Sequence, residues 1–311
     1  MRWWRTRQRP PAKDNCGGRR NTRNEAPAAN IFSMGPEDVD FALDITAKEG
    51  WGFVRADMER LLALTPGGSF IARHNGRRVG LLTTICHRKY CWIGNVAVRD
   101  AFRGNGIGRQ LVLSALEHAR ASGLNRVGLV CREETVGFYE PMGFSRGQKI
   151  TGMAGTPKKT IAGVPDISVR PATRGLLPQI IRLDGASCGD DRAPMLWSFF
   201  RDIGRFFLVH LDGGKVDGFI VGKPGASAME IGPWTVRSGN TDAARALFMA
   251  IASKHGGPVE LYVPSSQRWA LEFLQKIGLK KSHQFHEMHI GGSRPAAKGV
   301  RMLALAGLEK G

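Results

Sequence analysis

Acidic residues are scarce in this 311-residue chain, which has 27 Asp and Glu against 45 Lys and Arg and a formal net charge of +18. A partner or substrate with negative charge, such as nucleic acid, an anionic membrane surface or a polyphosphate group, fits that sign. No run of about 18 apolar residues occurs, so the sequence predicts no membrane-spanning helix. Its length suits a globular protein of two domains.

Cysteine is also sparse. The chain has five cysteines and no CxxC pair, and their spacings match neither a zinc site nor a disulfide framework. We therefore predict free thiols, buried as small apolar side chains, in a reducing cytoplasmic location.

Residues 1–30 lack the apolar core of a secretory signal and the periodicity of a helix, and they contain eight Lys or Arg against two Asp or Glu. This composition predicts a disordered basic arm. Arginines alternate with aromatic residues in the stretch RWWRTRQR, which makes a nucleic-acid-binding protein an alternative interpretation. Against it, no helix-turn-helix, RNP-like or zinc-finger signature occurs elsewhere in the chain.

The remainder of the chain contains the same order of predicted elements twice. In the first copy we predict two helices, a hairpin at Asn75-Gly76, a strand CWIGNVAV, a helix over 108–122, a strand VGLVC and a short helix ending at Gly143. GRFFLVHLDGGKVDGFIVG then matches GSFIARHNGRRVGLL, and VELYV matches VGLVC. Such self-similarity indicates that one unit is used twice.

The repeat predicts an α+β protein with two tandem domains, each a mixed, mostly antiparallel twisted sheet flanked by helices. The predicted boundaries are a first domain at 31–154, a linker at 155–166, a second domain at 167–293 and a C-terminal tail at 294–311. The histidine-rich stretch HQFHEMH closes the second copy, where a final strand is expected, and we predict no metal site there.

Three glycines at 104, 106 and 108 stand between a predicted strand and a predicted helix, next to Arg103 and Arg109. Backbone amides at such a helix start, together with guanidinium groups, form a binding site suited to a diphosphate. The dinucleotide fingerprint G-x-G-x-x-G does not fit, because the spacing is G-x-G-x-G and no acid ends the next strand. The lysine of a P-loop is also missing.

VAVRDAFRGNGIGRQLVLSAL, followed by GFYEPMGF, resembles the GNAT N-acetyltransferase superfamily. Residues 103–108 match its R/Q-x-x-G-x-G/A acetyl-CoA motif, and residues 138–144 match its F-Y-x-x-x-G-F segment. With its second, degenerate half the chain is similar to bacterial two-domain members of that superfamily. The resemblance implies an enzyme that transfers an acetyl group from acetyl-CoA to an amine.

The resemblance also implies roles for individual residues. Acetyl-CoA would lie between the strands at 91–98 and 127–131, and Tyr139 would hydrogen-bond or protonate the leaving thiolate. The implied cofactor contacts are Val96, Ala97, Val98, Arg103, Gly104, Asn105, Gly106, Ile107, Gly108, Arg109 and Phe138. The candidates for lining the acceptor site are Trp51, Trp92, Asn95 and Trp234.

The sequence departs from the family pattern at the general base. Many members carry a glutamate on the central strand, whereas residues 92–95 are Trp, Ile, Gly and Asn here. Glu133, Glu134, His87, a chain of waters or an acceptor that arrives neutral remain as alternatives, and a non-catalytic acyl-CoA sensor is an alternative function. Monomer and homodimer both stay open.

The second copy lacks the residues to which the resemblance assigns chemistry. It has RSGNTDAARALF in place of the glycine stretch and Leu274 in place of Tyr139. We therefore predict that the N-terminal half is catalytic and that the C-terminal half helps to wall the acceptor site.

Overall fold

The computed structural model describes residues 29–158, 166–294 and 299–311. Within these ranges the strands are β1 (Asn30–Ser33), β2 (Phe70–His74), β3 (Arg77–Cys86), β4 (Cys91–Val98), β5 (Val127–Arg132), β6 (Ser145–Gly155), β7 (Val169–Pro171), β8 (Phe207–Asp212), β9 (Lys215–Pro224), β10 (Met229–Arg237), β11 (Val259–Pro264), β12 (Lys280–Ile290) and β13 (Val300–Ala304). The α-helices are α1 (Val39–Lys48), α2 (Arg55–Leu64), α3 (Ile107–Ala121), α4 (Val136–Tyr139), α5 (Leu177–Cys188), α6 (Ala193–Ile203), α7 (Thr241–His255) and α8 (Arg268–Lys276).

The strands form one continuous sheet in the order β1-β2-β3-β4-β5-β12-β6-β11-β10-β9-β8-β7, and β13 pairs with β10. The two halves exchange their closing strands. β12 of the second half lies between β5 and β6 of the first, and β6 lies between β12 and β11. All three of these junctions are antiparallel, so the two halves share backbone hydrogen bonds at the centre of the sheet.

Helices cover both faces of each half. In the N-terminal half, α3 packs on one face, and α1 with α2 packs on the other. In the C-terminal half, α7 and α8 cover the first face, and α5 with α6 covers the second. The apolar residues of α3 lie on a single stripe, as an amphipathic helix on a sheet requires: Ile107, Leu111, Val112, Ala115, Leu116 and Ala119.

Cys86 and Cys91 occupy opposite positions of the β3–β4 hairpin and form a disulfide. The prediction that all cysteines are free is therefore wrong for this pair. A cross-strand pair is brought together by the register of the hairpin, which spacing along the chain does not reveal. Cys131 and Cys188 are free and buried.

Several predictions fall wholly or mostly on undescribed residues. The basic arm lies outside the described ranges except for residues 29 and 30, and residues 159–165 of the predicted linker also lie outside them. Across the ranges that are described, none of the helices is both long and apolar enough to cross a bilayer.

Candidate active site

A gap opens in the sheet of the N-terminal half. β4 and β5 pair in parallel only as far as Ile93 and Leu129. The register of β4 against β3 then shifts, and Asn95 at the shift has a φ of 53° and donates its side-chain amide to Thr83 Oγ1 at 3.0 Å. Because such a bulge bends its strand, β4 turns away from β5. We call the gap between residues 94–98 and 130–132 the N-terminal wedge.

The glycine loop lies at the wide end of this wedge. Gly104 and Gly106 have φ values of 82° and 76°, a region that side chains disfavour. Gly106 precedes α3 without a side-chain cap, and the first i to i−4 hydrogen bond runs from Gln110 N to Gly106 O at 3.0 Å. The amides of residues 107–109 therefore precede the helical hydrogen-bond pattern and can bind an anion.

The two arginines of the loop differ in their contacts. Arg103 donates to Val98 O at 2.8 Å, lies 3.1 Å from Asp100 and contacts Glu49. Its guanidinium therefore holds the loop against β4 and α1. Arg109, on the first turn of α3, is exposed. A cavity of about 300 Å³ lies beside the loop, and the residues that line it are Ile45, Lys48, Glu49, Arg99, Asp100 and Arg103.

Phe138 and Tyr139 of α4 pack against each other, with ring centroids 4.9 Å apart. The Phe138 side chain is 41% exposed, and a Cβ on Gly108 would lie 3.3 Å from its ring. Tyr139 is buried between Phe138 and Phe144, and burial raises the pKa of its phenol above the ordinary value of 10. The phenol consequently keeps its proton at neutral pH.

The structure places Trp234 apart from the other three predicted acceptor residues. Trp51 is half-buried beside α1 and α2, Asn95 forms the bulge, and Trp92 lies on the α1–α2 face of β4. Trp234 has no exposed surface and packs with Phe248 and Phe273 beneath α7 and α8. This position does not suit a residue that lines a pocket for the acceptor.

A segment that the sequence did not single out lies on Trp92 and its neighbours. Residues 305–311, which follow β13, run between the two halves and reach β4, and we call them the C-terminal segment. Trp92 Nε1 donates to Leu308 O at 2.9 Å, and Gly311 packs against the Trp92 ring. Glu309 and Lys310 are buried. A short stretch with two charged residues carries no pattern from which this burial could be predicted.

The candidate bases occupy different surroundings. Burial lowers the pKa of His87 to about 3, with positive charge on Arg192 and Arg294 contributing, so this imidazole is neutral at neutral pH. Glu133 contacts His286 of β12, and that contact lowers the pKa of the carboxyl. Glu134 is exposed and lies 3.8 Å from Arg132. None of the three lies on β4, because His87 follows β3 and the two glutamates follow β5.

The corresponding gap in the C-terminal half is filled. Pairing of β10 with β11 is limited to Met229 and Glu230 against residues 259 and 260. β13 pairs with β10 over Trp234–Arg237, and Leu305 N donates to Tyr262 O of β11 at 2.9 Å. The chain itself occupies this second gap, which we call the C-terminal wedge.

Within the described ranges, no group of three or more His, Cys, Asp or Glu side chains is arranged to hold a metal ion. In the HQFHEMH stretch, Glu287 is bound by Arg294 at 2.8 Å and by Gln148 at 2.6 Å. The glutamate is therefore engaged in an ion pair.

Comparisons with known proteins identify the family of both halves. The sequence model of the acetyltransferase (GNAT) family matches residues 40–144, and that of the acetyltransferase (GNAT) domain matches residues 180–302. The chain belongs to the GNAT superfamily, a class of N-acetyltransferases, and has two domains of that family. The expected superfamily and the expected tandem α+β fold are confirmed.

Particular relatives show the extent of the likeness. An uncharacterized N-acetyltransferase of Methanocaldococcus jannaschii is 31% identical over 146 residues, which cover 39% of this chain and 63% of that protein. A Pyrococcus horikoshii protein described as an acetyltransferase has a similar structure, with 20% identity, a TM-score of 0.77 and coverage of 95% of this chain and 99% of that one. A tandem GNAT protein from the clavulanic acid biosynthesis pathway has 16% identity and a TM-score of 0.60 and covers 86% and 100% of the two chains.

Proposed function

We propose that this protein is an acetyl-CoA-dependent N-acetyltransferase in which the amine attacks the thioester directly. The observation that carries the proposal is the N-terminal wedge, whose β4 edge leads into a loop with unpaired amides. Membership of the GNAT superfamily supports the same reaction class. The alignment with the Methanocaldococcus jannaschii relative covers 63% of that protein's length.

In the proposed complex the pyrophosphate of acetyl-CoA binds to the amides of residues 104–109, with Arg109 as a charge-assisted donor. The backbone of Val96, Ala97 and Val98 holds the pantetheine arm as an added strand would be held. Phe138, exposed beside Gly108, offers an apolar surface to the same ligand. The positive φ of Gly104 and Gly106 fits a loop whose backbone must approach a phosphate closely.

In the proposed reaction the neutral amine forms a bond to the carbonyl carbon and the carbon–sulfur bond breaks. The electron pair leaves on sulfur, and Tyr139, whose phenol is protonated at neutral pH, gives its proton to the thiolate. The C-terminal half, through the C-terminal segment on Trp92, walls the acceptor side of this site.

Calorimetry with CoA and thiol release from acetyl-CoA in the presence of a panel of amines test the proposal together. We expect saturable CoA binding and thiol release that depends on the amine. Failure to bind CoA would overturn it.

The absence of a carboxylate at residues 92–95 favours a second candidate, an acyl-CoA sensor that does not turn over. The same two measurements separate the candidates. The sensor would be supported if CoA binds but no amine causes thiol release from acetyl-CoA. The amines tested include lysine peptides, polyamines and aminoglycosides.

A further inference from the structure

The C-terminal segment is held along its length by both halves of the protein. Leu305 N donates to Tyr262 O at 2.9 Å, Trp92 Nε1 donates to Leu308 O at 2.9 Å, and Lys223 Nζ binds Ala306 O. Arg192 Nη1 binds the backbone oxygen of Gly311. These contacts, one on nearly every second residue, fix the segment as a part of the folded structure.

Glu309 takes the place of a side chain on β4. A Cβ built on Gly94 would collide with the Cα and Cβ of Glu309. Gly94 pairs with Thr83 and lies one residue before the Asn95 bulge, where the N-terminal wedge opens. The absence of a side chain at Gly94 therefore makes room for a glutamate from elsewhere in the chain, on the face of β4 that lacks a carboxylate of its own.

The carboxylate of Glu309 belongs to a buried ionic cluster. It contacts Lys310 Nζ, which lies 3.9 Å from Glu230, and Glu230 lies 3.1 Å from Lys223. The charged and titratable groups around this cluster are Lys310 of the segment, Lys223 of β9, Glu230 of β10, Asp57 and Arg60 of α2, His87 after β3 and Arg192 before α6.

These groups leave Glu309 as the best-placed proton acceptor. Burial lowers the pKa of Lys310 to about 8, so at neutral pH the lysine is a cation beside the Glu309 carboxylate. His87 stays neutral because burial lowers its pKa to about 3. Glu230 is placed on β10 of the other half and is paired with Lys223.

We propose that Glu309 is the base of the acceptor site, binding the acceptor ammonium and taking its proton. This inference rests on the proposed acetyl transfer. One proton passes from the ammonium nitrogen to the Glu309 carboxylate and later to water. The freed electron pair forms the carbon–nitrogen bond, the carbon–sulfur bond breaks and Tyr139 protonates the thiolate. The second proton of the amine then restores the Tyr139 phenol, so that one proton is released for each turnover.

The test is Glu309→Gln, assayed with one amine that the wild-type protein accepts. At pH 7 we expect kcat/KM to fall by about 100-fold, within the usual range for a lost acid–base group. The deficit should narrow as the pH approaches the pKa of the amine, because the acceptor then arrives neutral. CoA affinity by calorimetry should stay within about twofold of wild type.

Two further variants keep this test decisive. Glu117→Gln removes an exposed carboxylate of α3 outside the cluster and should leave the shape of the pH profile unchanged. If Glu309→Gln folds poorly because Lys310 loses its partner, Glu309→Gln combined with Lys310→Met removes both charges, and its pH profile is measured instead.

Three results would overturn the assignment: wild-type kcat/KM in Glu309→Gln, a loss of equal size at every pH, or a faster variant, which would mean that the segment blocks the acceptor. Each requires a wild-type protein that binds CoA and releases thiol. A wild-type protein that does neither overturns the proposed function, and the base assignment is overturned with it.

Discussion

The two halves of the protein have the same scaffold and use its central gap differently. In both halves the parallel strands pair for only two or three residues before they separate. In the N-terminal half the wedge has a free β4 edge, whereas in the C-terminal half β13 pairs with Trp234–Arg237 and fills the gap. The gap is thus a property of the fold. In the C-terminal half β13 pairs with the free edge of β10, and in the N-terminal half we propose that pantetheine pairs with the edge of β4 in the same way.

The helices that follow the two central strands differ in the same way. α3 begins after Gly106 without a side-chain cap. α7 begins after Asn240, whose Oδ1 accepts a hydrogen bond from Ala243 N at 3.0 Å. A capped helix start has satisfied one of its free amides internally, whereas an uncapped one can use them to bind an anion. The first arrangement favours stability, and the second favours ligand binding.

The largest effect should follow from closing the uncapped start. Gly106→Val places a β-branched side chain at a φ of 76° and should weaken CoA binding by about 100-fold, because the loop must change its backbone and its amides lose their common direction. Calorimetry with CoA measures the effect.

The matched control for Gly106→Val is Gly239→Val, at a φ of 86° before α7. This variant carries a similar backbone cost, but it should bind CoA like the wild type. Equal affinity in Gly106→Val and in the wild type would disprove the assignment of the loop.

A somewhat smaller effect is expected from Tyr139, whose counterpart in the second half is Leu274. Tyr139→Phe should lower kcat by about 10- to 100-fold with CoA affinity unchanged, since only the acid is lost. Burial raises the pKa of Tyr139, so wild-type kcat should show no loss of this acid up to about pH 10. Leu274→Met, a volume-conserving change in the other core, is the control, and a full rate in Tyr139→Phe would contradict the role.

A moderate effect, on the free energy of unfolding, is expected at the paired position beside each wedge where the two halves carry different residues. Trp92 and Gly128 stand opposite each other in the first half, where Glu230 and Glu260 stand in the second. Burial, with a contribution from the negative charge of Glu230, raises the pKa of Glu260 to about 7. Because this folded-state pKa exceeds the unfolded value of 4.5, ionisation of Glu260 costs stability as the pH rises from 4.5 through 7.

Glu260→Gln should therefore raise the free energy of unfolding by about 3 kcal/mol at pH 8 and change it little at pH 4.5. Urea unfolding at the two pH values provides the measurement. Glu117→Gln, on the exposed face of α3, should have no comparable effect. A gain of equal size at both pH values would show that the charge of Glu260 is not the cause.

Much of the fold could be predicted because its signals are local. The glycine loop, the hairpin at Asn75-Gly76 and the repeated order of elements each lie within a short stretch, and their patterns depend on turn chemistry and periodicity. The exchange of β6 and β12 could not be predicted in this way. β6 and β12 would each lie between two apolar strands in either half of the protein. The sequence therefore does not indicate which half each strand joins.

The candidate site shows the same division. The loop at 103–109 follows from its sequence motif, but the environment of Trp234 and the position of Glu309 depend on contacts between distant parts of the chain. Trp234 lies on a β10 that β13 and the α7–α8 core enclose. Glu309 reaches β4 only because Gly94 leaves space for it. Residues from the far end of a chain carry no local mark of such a contact.

The smallest effect should come from the cap that the first half lacks. Asn240→Ala removes the acceptor for Ala243 N and the donor to Asp217 Oδ2 at 2.6 Å, and it should lower the free energy of unfolding by about 1 kcal/mol. Asn240→Ser, which keeps a capping oxygen, should recover a part of that loss. CoA affinity should be the same in both variants, because this helix start is satisfied internally. A change in CoA affinity in either variant would mean that the start of α7 also contributes to CoA binding, contrary to the contrast drawn with α3.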